Sequence, residues 1–361
     1  MNILILTGKF GMGHFSASQS LREQLLQAFP EAQVQVEDFP AYAMPNLSEV
    51  MYKAFDLVVS HGSHLFNTYY KLTALGRPDA RPPFEGLFLD KLVELLHQRR
   101  PDAVIATHPL CAQLVSRLKG EWGLDLPLIT CVTDVTSHPE WINQNTDCYL
   151  VPSREVRRAL AAKGVDPALV CVTGIPVRRE FRTLPRRTGR GERELLIMGG
   201  GLGLLPRDDS FYEKLSAIPG VHTTVITGRN QKLFRRLSGR WENIQAVGYT
   251  SQVWEYMARA DLIVTKPGGI TLFETIFAQV PILTWPPALQ QERSNARWLT
   301  QAGIGWVAES QDCAREIQEL LLDRPRLASA AARMGRLKEQ LEVESLDRLM
   351  EAIVKTQEAA V

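Results

Sequence analysis

The feature that most limits how this chain can fold is a sustained alternation. Short apolar, β-rich runs are separated, again and again, by stretches with the 3.6-residue spacing of amphipathic helices. The first half carries the runs NILILT, QVQVED, DAVIAT and PLITCV, and the second LLIMGGG, HTTVITG, NIQAVGY, DLIVTKPGG and VPILTW. Strands that alternate with helices pair through crossovers, which predicts parallel sheets. Between the halves, VRREFRTLPRRTGRGERE has charge, Pro and Gly but no apolar period, and reads as a linker. A length of 361 residues suits two domains of ordinary size. The expectation is an α/β protein of two Rossmann-like domains facing across a cleft, 1–178 and 179–342. A helical tail begins near Pro325, and its last part, 343–361, rejoins the first domain.

Composition narrows the function classes. Hydrophobic residues make up 45% and charged residues 22%, as in a globular domain, and a net charge of +1 gives nucleic acid no electrostatic hold. The start, MNILILTGKF, lacks the basic region of a signal peptide, and no apolar run reaches the length of a membrane span. A cytoplasmic protein, at most lying against a membrane, is expected. Cys111, Cys131, Cys148, Cys171 and Cys313 form no C-x-x-C pair, which argues against a zinc site or disulfide framework and for small core residues. The segment 48–72 mixes apolar, aromatic and basic residues; it reads either as a surface for lipid headgroups or as two ordinary helices packed on the sheet.

The candidate chemistry follows the strands. After the first comes GKFGMGH, with Gly8, Gly11, Gly13 and His14 at the mouth of a helix. Glycines permit tight turns and close ligand approach, but Ser16 replaces the third glycine of G-x-G-x-x-G, so NAD is disfavoured. THPLCAQL brings Thr107, His108 and Pro109, and VTDVTSHPEW brings Asp134, His138 and Trp141, each after a strand of the same half. In a parallel sheet the three loops converge on one edge, and histidines beside a carboxylate suit proton abstraction from an alcohol. A capping or packing role for His14, a turn or cap role for Asp134 and a plain surface position for His138 stay open. In TKPGGITLFE, Gly268 and Gly269 end a strand and start a helix whose amides suit a diphosphate. Thr271 adds a hydroxyl, and Glu274 can accept from the hydroxyls of a ribose. GGGLG adds the amides of Gly200 and Gly201, and Gln290, Gln291, Glu292 and Asn295, read as preceding a helix, suit sugar hydroxyls. No D-x-D, H-E-x-x-H, P-loop or G-x-S-x-G motif occurs, so no metal requirement is expected.

Taken together, GMGHFSAS, THP, VTDVTSHPEWINQNTDCYLVPS, VTGIPVRREF, VTKPGGITLFE and QQERSNA resemble, in order, the monogalactosyldiacylglycerol synthases and processive diacylglycerol glucosyltransferases. These are relatives of the N-acetylglucosaminyl transferase that completes lipid II. The resemblance implies a GT-B fold, a UDP-sugar donor, a lipid acceptor such as diacylglycerol, and inversion at the anomeric carbon. It also implies peripheral association with the inner face of the cell membrane, with no cofactor and no nucleic acid. By position it makes His14 the candidate base, with Asp134 and His138 beside the acceptor and His108 and Trp141 also on the acceptor side. Gly13, Gly200, Gly201, Gly228, Lys266, Gly268, Gly269, Thr271, Glu274, Gln290, Gln291 and Asn295 fall to the donor. Gln290-Gln291-Glu292 stands where the glycolipid synthases tend to have Gly-Gln-Glu, which leaves the sugar open. A nucleotide-sugar epimerase or hydrolase of the same fold, or a non-catalytic UDP-sugar-binding regulator, are the alternatives.

Overall fold

Among the described residues, apolar runs form twelve strands in two sheets, and every pairing in both is parallel. The structure, a computed structural model, describes residues 1–10, 12–61, 63–74, 85–184 and 191–359; Gly11 and linker residues 185–190 lie outside these. Two compact units result: Met1–Arg179 with Leu289–Gln291 and Leu341–Val361, and Glu180–Ala288 with Glu292–Gln340.

The first unit runs β1 (Asn2–Thr7), α1 (Met12–Ala28), β2 (Gln33–Asp38), α2 (Phe39–Ala43), α3 (Ser48–His61), α4 (Ser63–Ala74) and α5 (Glu85–Arg99). It continues β3 (Ala103–Ala106), α6 (Pro109–Trp122), β4 (Leu128–Cys131), β5 (Cys148–Val151), α7 (Arg154–Ala161) and β6 (Val170–Val172). Its sheet order is β2-β1-β3-β4-β5-β6. Alternate residues of a strand face opposite sides, so the buried runs feed two cores. Leu4, Leu6, Val104 and Leu128 pack with Phe88, Leu92 and Leu114 on one side. Ile3, Ile5, Ile105 and Ile129 pack with Leu21 and Leu25 on the other.

The second unit comprises α8 (Arg179–Arg182), β7 (Arg193–Met198), α9 (Asp209–Ser216), β8 (Val221–Ile226), α10 (Gln231–Leu237), β9 (Ile244–Val247) and α11 (Val253–Arg259). Then follow β10 (Leu262–Thr265), α12 (Gly269–Ala278), β11 (Ile282–Thr284), α13 (Gln290–Gln301), whose first two residues group with the first unit, β12 (Gly305–Val307), α14 (Ala314–Leu322) and α15 (Arg324–Glu339). The order here is β12-β11-β10-β7-β8-β9. The last helix, α16 (Ser345–Ala359), belongs to the first unit, where Leu346 and Met350 join the core of Ile3 and Ile5. All five cysteines are free thiols; four are buried, and Cys171 packs against that same core.

One turn in the second unit requires glycine twice over. Gly203 has φ +65°, and a Cβ there would lie 2.0 Å from the Thr227 carbonyl oxygen. Gly220 has nearly the same φ, +68°, but open space around it. Gly220→Ala should therefore cost only the left-handed backbone strain, about 1 kcal/mol. Gly203→Ala should cost about 3 kcal/mol or more, because the loop against β8 must also move apart. Urea unfolding followed by tryptophan fluorescence measures both; equal losses would show that the close approach is not a constraint.

Candidate active site

A parallel sheet leaves a crevice where its strand order reverses, because the loops on either side diverge there. In the first sheet that point lies between β1 and β3. The loops after β1, β3 and β4 bring their side chains together at this edge. The rings of His14 and His108 meet edge to face with centroids 4.8 Å apart, and Trp141 lies 6.2 Å from His14. Thr133 Oγ1 sits 2.7 Å from His14 Nδ1. Gly8 keeps the turn narrow, since a Cβ there would come within 3.2 Å of the Phe10 ring. Gly13, in the first turn of α1, has nothing within 4 Å of such an atom.

The Thr107 amide donates to the Leu6 carbonyl at 3.0 Å, one step beyond the β1–β3 ladder. The Thr107 carbonyl lies 2.9 Å from His14 Nδ1. A carbonyl only accepts, so Nδ1 carries the proton and Nε2 the lone pair. Behind this contact the hydroxyls of Ser18, Thr107 and Thr7 form a chain, 2.8 Å and 2.9 Å per link. Burial pushes the His14 pKa down to about 4, with the Thr107 hydrogen bond opposing it. The ring is therefore neutral at neutral pH. His108 caps α6: its Nδ1 accepts from the Leu110 amide at 3.3 Å, which places its proton on Nε2. Burial, and then the neighbouring His14, hold its pKa well below the usual histidine value.

His138 is placed differently from its expected acid–base role. It is 5% exposed, its Nδ1 accepts from the Glu140 amide at 3.4 Å, and its Nε2 lies 3.1 Å from the Tyr70 carbonyl. Thr73 Oγ1 is 3.3 Å from the same Nε2, and the Tyr70 ring is 4.2 Å away, centroid to centroid. With both ring nitrogens engaged, His138 ties α4 to the short turn Pro139–Trp141 and has no nitrogen left for a substrate proton. Tyr69 adds a second tie by donating to Glu140 Oε1 at 2.9 Å. Asp134 is half-buried on the same loop and its carbonyl accepts from the Thr136 amide. Burial keeps the Tyr70 hydroxyl protonated, and the Asp134 charge adds to the effect. Trp141 is buried.

The second sheet reverses between β7 and β10. Here glycines let three loops close on one another. A Cβ on Gly200 would approach Lys266 Cε to 3.4 Å, and one on Gly228 would lie 2.6 Å from the Gly200 carbonyl oxygen and 2.8 Å from that of Gly201. The Arg229 amide donates to the Gly201 carbonyl at 3.1 Å. Gly268 is the N-cap of α12, with no side-chain cap, and Gly269 is its first residue. The amides of that first turn, with the positive end of the helix dipole, are disposed to meet a negative charge. Thr271 and Glu274, three residues apart and half-buried, share one face of the helix.

Helix α13 supplies the support. Glu292 is buried, and its Oε1 lies 3.3 Å from Lys266 Nζ. Asn295, fully buried, donates from Nδ2 to the Pro267 carbonyl at 3.0 Å. These two side chains fix the Lys266–Pro267 loop rather than reach outward. Gln290 and Gln291 are the first two residues of α13, whereas the sequence reading placed them before a helix. Among the described residues no group of three or more His, Cys, Asp or Glu side chains is arranged to hold a metal ion.

Sequence reading passed over Thr133 and Thr7. Their signal is positional: Thr7, Thr107 and Thr133 stand at or just beyond the ends of three adjacent strands, where hydroxyls meet the first loop residues.

Comparison with known proteins agrees with this fold. Residues 14–177 match the monogalactosyldiacylglycerol (MGDG) synthase family profile, and residues 208–349 match the glycosyltransferase family 28 C-terminal domain. A processive diacylglycerol beta-glucosyltransferase of Staphylococcus aureus is 29% identical over 330 residues, covering 87% of this chain and 83% of the relative. In fold the chain is similar to a spinosyn rhamnosyltransferase, with TM-score 0.62, 16% identity and coverage of 97% and 100%. It is also similar to MurG of Acinetobacter baumannii, with TM-score 0.63, 15% identity and coverage of 98% and 99%. Two parallel six-stranded sheets, the matched profiles and these relatives together make the chain a glycosyltransferase of GT-B fold, similar to the monogalactosyldiacylglycerol synthases and the processive diacylglycerol glucosyltransferases.

Proposed function

We propose that the chain transfers a hexose from a UDP-sugar to the hydroxyl of a lipid, diacylglycerol first among candidates, with inversion at the anomeric carbon. The observation that carries the reading is the state of His14: neutral, with Nδ1 bound to a carbonyl and Nε2 left to act as a base. The acceptor hydroxyl gives its proton to Nε2, its oxygen bonds to the anomeric carbon, and the electron pair of the broken bond leaves with UDP. Asp134 assists from the loop after β4, and His108 and Trp141 flank the acceptor.

The developing diphosphate charge is met by the first turn of α12 at Gly268 and Gly269, by the Thr271 hydroxyl and by Lys266. Donors fixed in advance need no reorganisation. Glu274 takes the ribose hydroxyls, Gly200, Gly201 and Gly228 let the backbone approach, and Gln290 and Gln291 read the sugar. The S. aureus relatives, named as beta-glucosyltransferases acting on diacylglycerol, make UDP-glucose the first donor to test. No metal is given a part.

A peripheral place on the inner face of the cell membrane completes the proposal. Val50 and Leu57 on α3 and Tyr69 and Leu72 on α4 are each at least half exposed. Apolar side chains on helices of this kind suit insertion at the headgroup boundary. No helix among the described residues is long and apolar enough to cross a membrane.

The test is UDP release from UDP-glucose with and without diacylglycerol in mixed micelles, followed by mass analysis of the lipid. Lipid-dependent release with one hexose added supports the transferase. Release without lipid would mean a hydrolase or epimerase, and tight UDP binding without turnover on any acceptor would mean a binding protein.

His14→Ala should lower kcat by about 10²–10⁴-fold, the usual worth of a general base, with donor KM within about twofold. A folded variant with wild-type turnover would remove His14 from the mechanism. The sign of the pKa shift sets the pH profile. Because burial lowers the value to about 4, the neutral base persists below pH 6.5 and is lost only as the pH falls toward that value. Wild-type kcat/KM should be flat from neutral pH to about 5.5 and drop below it. An acid limb centred near 6.5 would assign the titration to another group.

A further inference from the structure

We propose that Thr133 is a positioning residue for the reaction, acting through the Nδ1 side of His14. This rests on the reading of His14 as the base. Thr133 stands just past the end of β4, is 4% exposed, and holds Oγ1 2.7 Å from His14 Nδ1. The same Nδ1 lies 2.9 Å from the Thr107 carbonyl, so its single proton faces two oxygens. Were Nδ1 unprotonated, its lone pair would point at the carbonyl's lone pairs at hydrogen-bond distance, so only the Nδ1–H tautomer fits.

The two oxygens differ in what they contribute. The carbonyl alone selects the tautomer. It is immobile, since the Thr107 amide continues the β1–β3 ladder and the Thr107 hydroxyl is tied to Ser18 and Thr7. Thr133 adds a second acceptor whose value grows when the ring becomes charged, because hydrogen bonds from an ionised donor are about twice as strong as neutral ones. At that moment the acceptor's proton arrives at Nε2, the ring carries a full positive charge, and Nδ1–H is shared between the carbonyl and the Thr133 hydroxyl. The proton later leaves Nε2 for solvent. The hydroxyl thus offsets, in the transition state, part of the burial that makes His14 a weak base. The other titratable groups around the ring do not supply this: His108 is held neutral, and its Nδ1 is committed to the Leu110 amide. Asp134 follows Thr133 on the same loop, so a change of loop position would act on both residues.

Three variants of the full chain separate the possibilities: Thr133→Val, which keeps the shape and loses the hydroxyl, Thr133→Ser, which keeps the hydroxyl, and His14→Ala. Each is measured for kcat, donor KM, the pH dependence of kcat/KM and thermal unfolding. Thr133→Val should lose about tenfold in kcat, the worth of one weak charge-assisted hydrogen bond, with donor KM within about twofold. Its acid limb should move to lower pH, because the charged ring has lost an acceptor. Thr133→Ser should recover kcat to within about threefold of wild type. A merely structural threonine would lower the unfolding temperature without moving the pH limb, and that result overturns the proposal. If the valine variant fails to fold, Thr133→Ala is read in its place by the same criteria. Thr133→Val with wild-type kcat and pH profile, beside an inactive His14→Ala, would overturn the positioning role while the base stands. A fully active His14→Ala would overturn the base and this role with it.

Discussion

The Thr107 carbonyl lies just beyond the ladder between β1 and β3, and its place in the sheet is what gives His14 a defined chemistry. Inside a parallel sheet each carbonyl has a neighbouring strand to bond. One residue further on, the strands separate at the switch point and a carbonyl must find another donor or stay unsatisfied. The Thr107 amide still bonds Leu6, so the peptide is rigid, and its oxygen accepts a hydrogen bond from His14 Nδ1–H. A side chain on α1 is thereby fixed by a backbone atom of β3, and the ring's free nitrogen is decided by sheet topology.

The same burial that fixes the ring also weakens it. A histidine whose pKa is lowered to about 4 is always available as a base near neutrality but abstracts a proton less readily than an ordinary imidazole. A compensating influence has to act on the charged form, and the polar atoms at Nδ1 are placed to do so. His108 illustrates the opposite use of the same residue type. As the cap of α6 its Nδ1 serves the Leu110 amide, and its neutral ring packs against His14, where a second charge would oppose protonation of the first.

Much of this order is written in local sequence. The six-residue runs of β1, β2, β7 and β8 have length, β-branching and turn signals enough to read as strands, and the glycines after β1, β7 and β10 mark the binding edge. β5, β6 and β12 are not among the runs legible in sequence, although at three or four residues they match β3, β4, β9, β10 and β11 in length; strands so short have no periodicity of their own, and pairing with neighbouring strands holds them. Residue type likewise identified the histidines but not their partners. His138 and His14 look alike in sequence, each beside a proline or glycine turn, yet the carbonyl of Tyr70, from a helix 68 residues away, occupies the nitrogen that would make His138 a base. Asn295 and Glu292 look like sugar-reading residues because amides and carboxylates serve that purpose; burial turns them to Pro267 and Lys266 instead. Thr133 was hidden because a threonine after a strand has many ordinary uses, and only the 2.7 Å contact singles it out.

The two units apply opposite electrostatics at the same topological place. At the first switch point two imidazoles are kept neutral by burial, which suits the base role proposed for His14. At the second, an uncapped helix start presents the positive end of its dipole, and a buried glutamate holds the lysine two residues before it, which suits the diphosphate role proposed for this loop. Lys266 does not hold its place unaided, because a flexible ammonium on a bare loop would lose much of its effect to side-chain entropy. The Glu292 carboxylate restricts it, Asn295 fixes the peptide that carries it, and the missing side chain at Gly200 makes room for its stem. Transfer of a sugar between a hydroxyl and a diphosphate needs both conditions, a base that starts uncharged and an anion site whose donors are in place before the bond breaks.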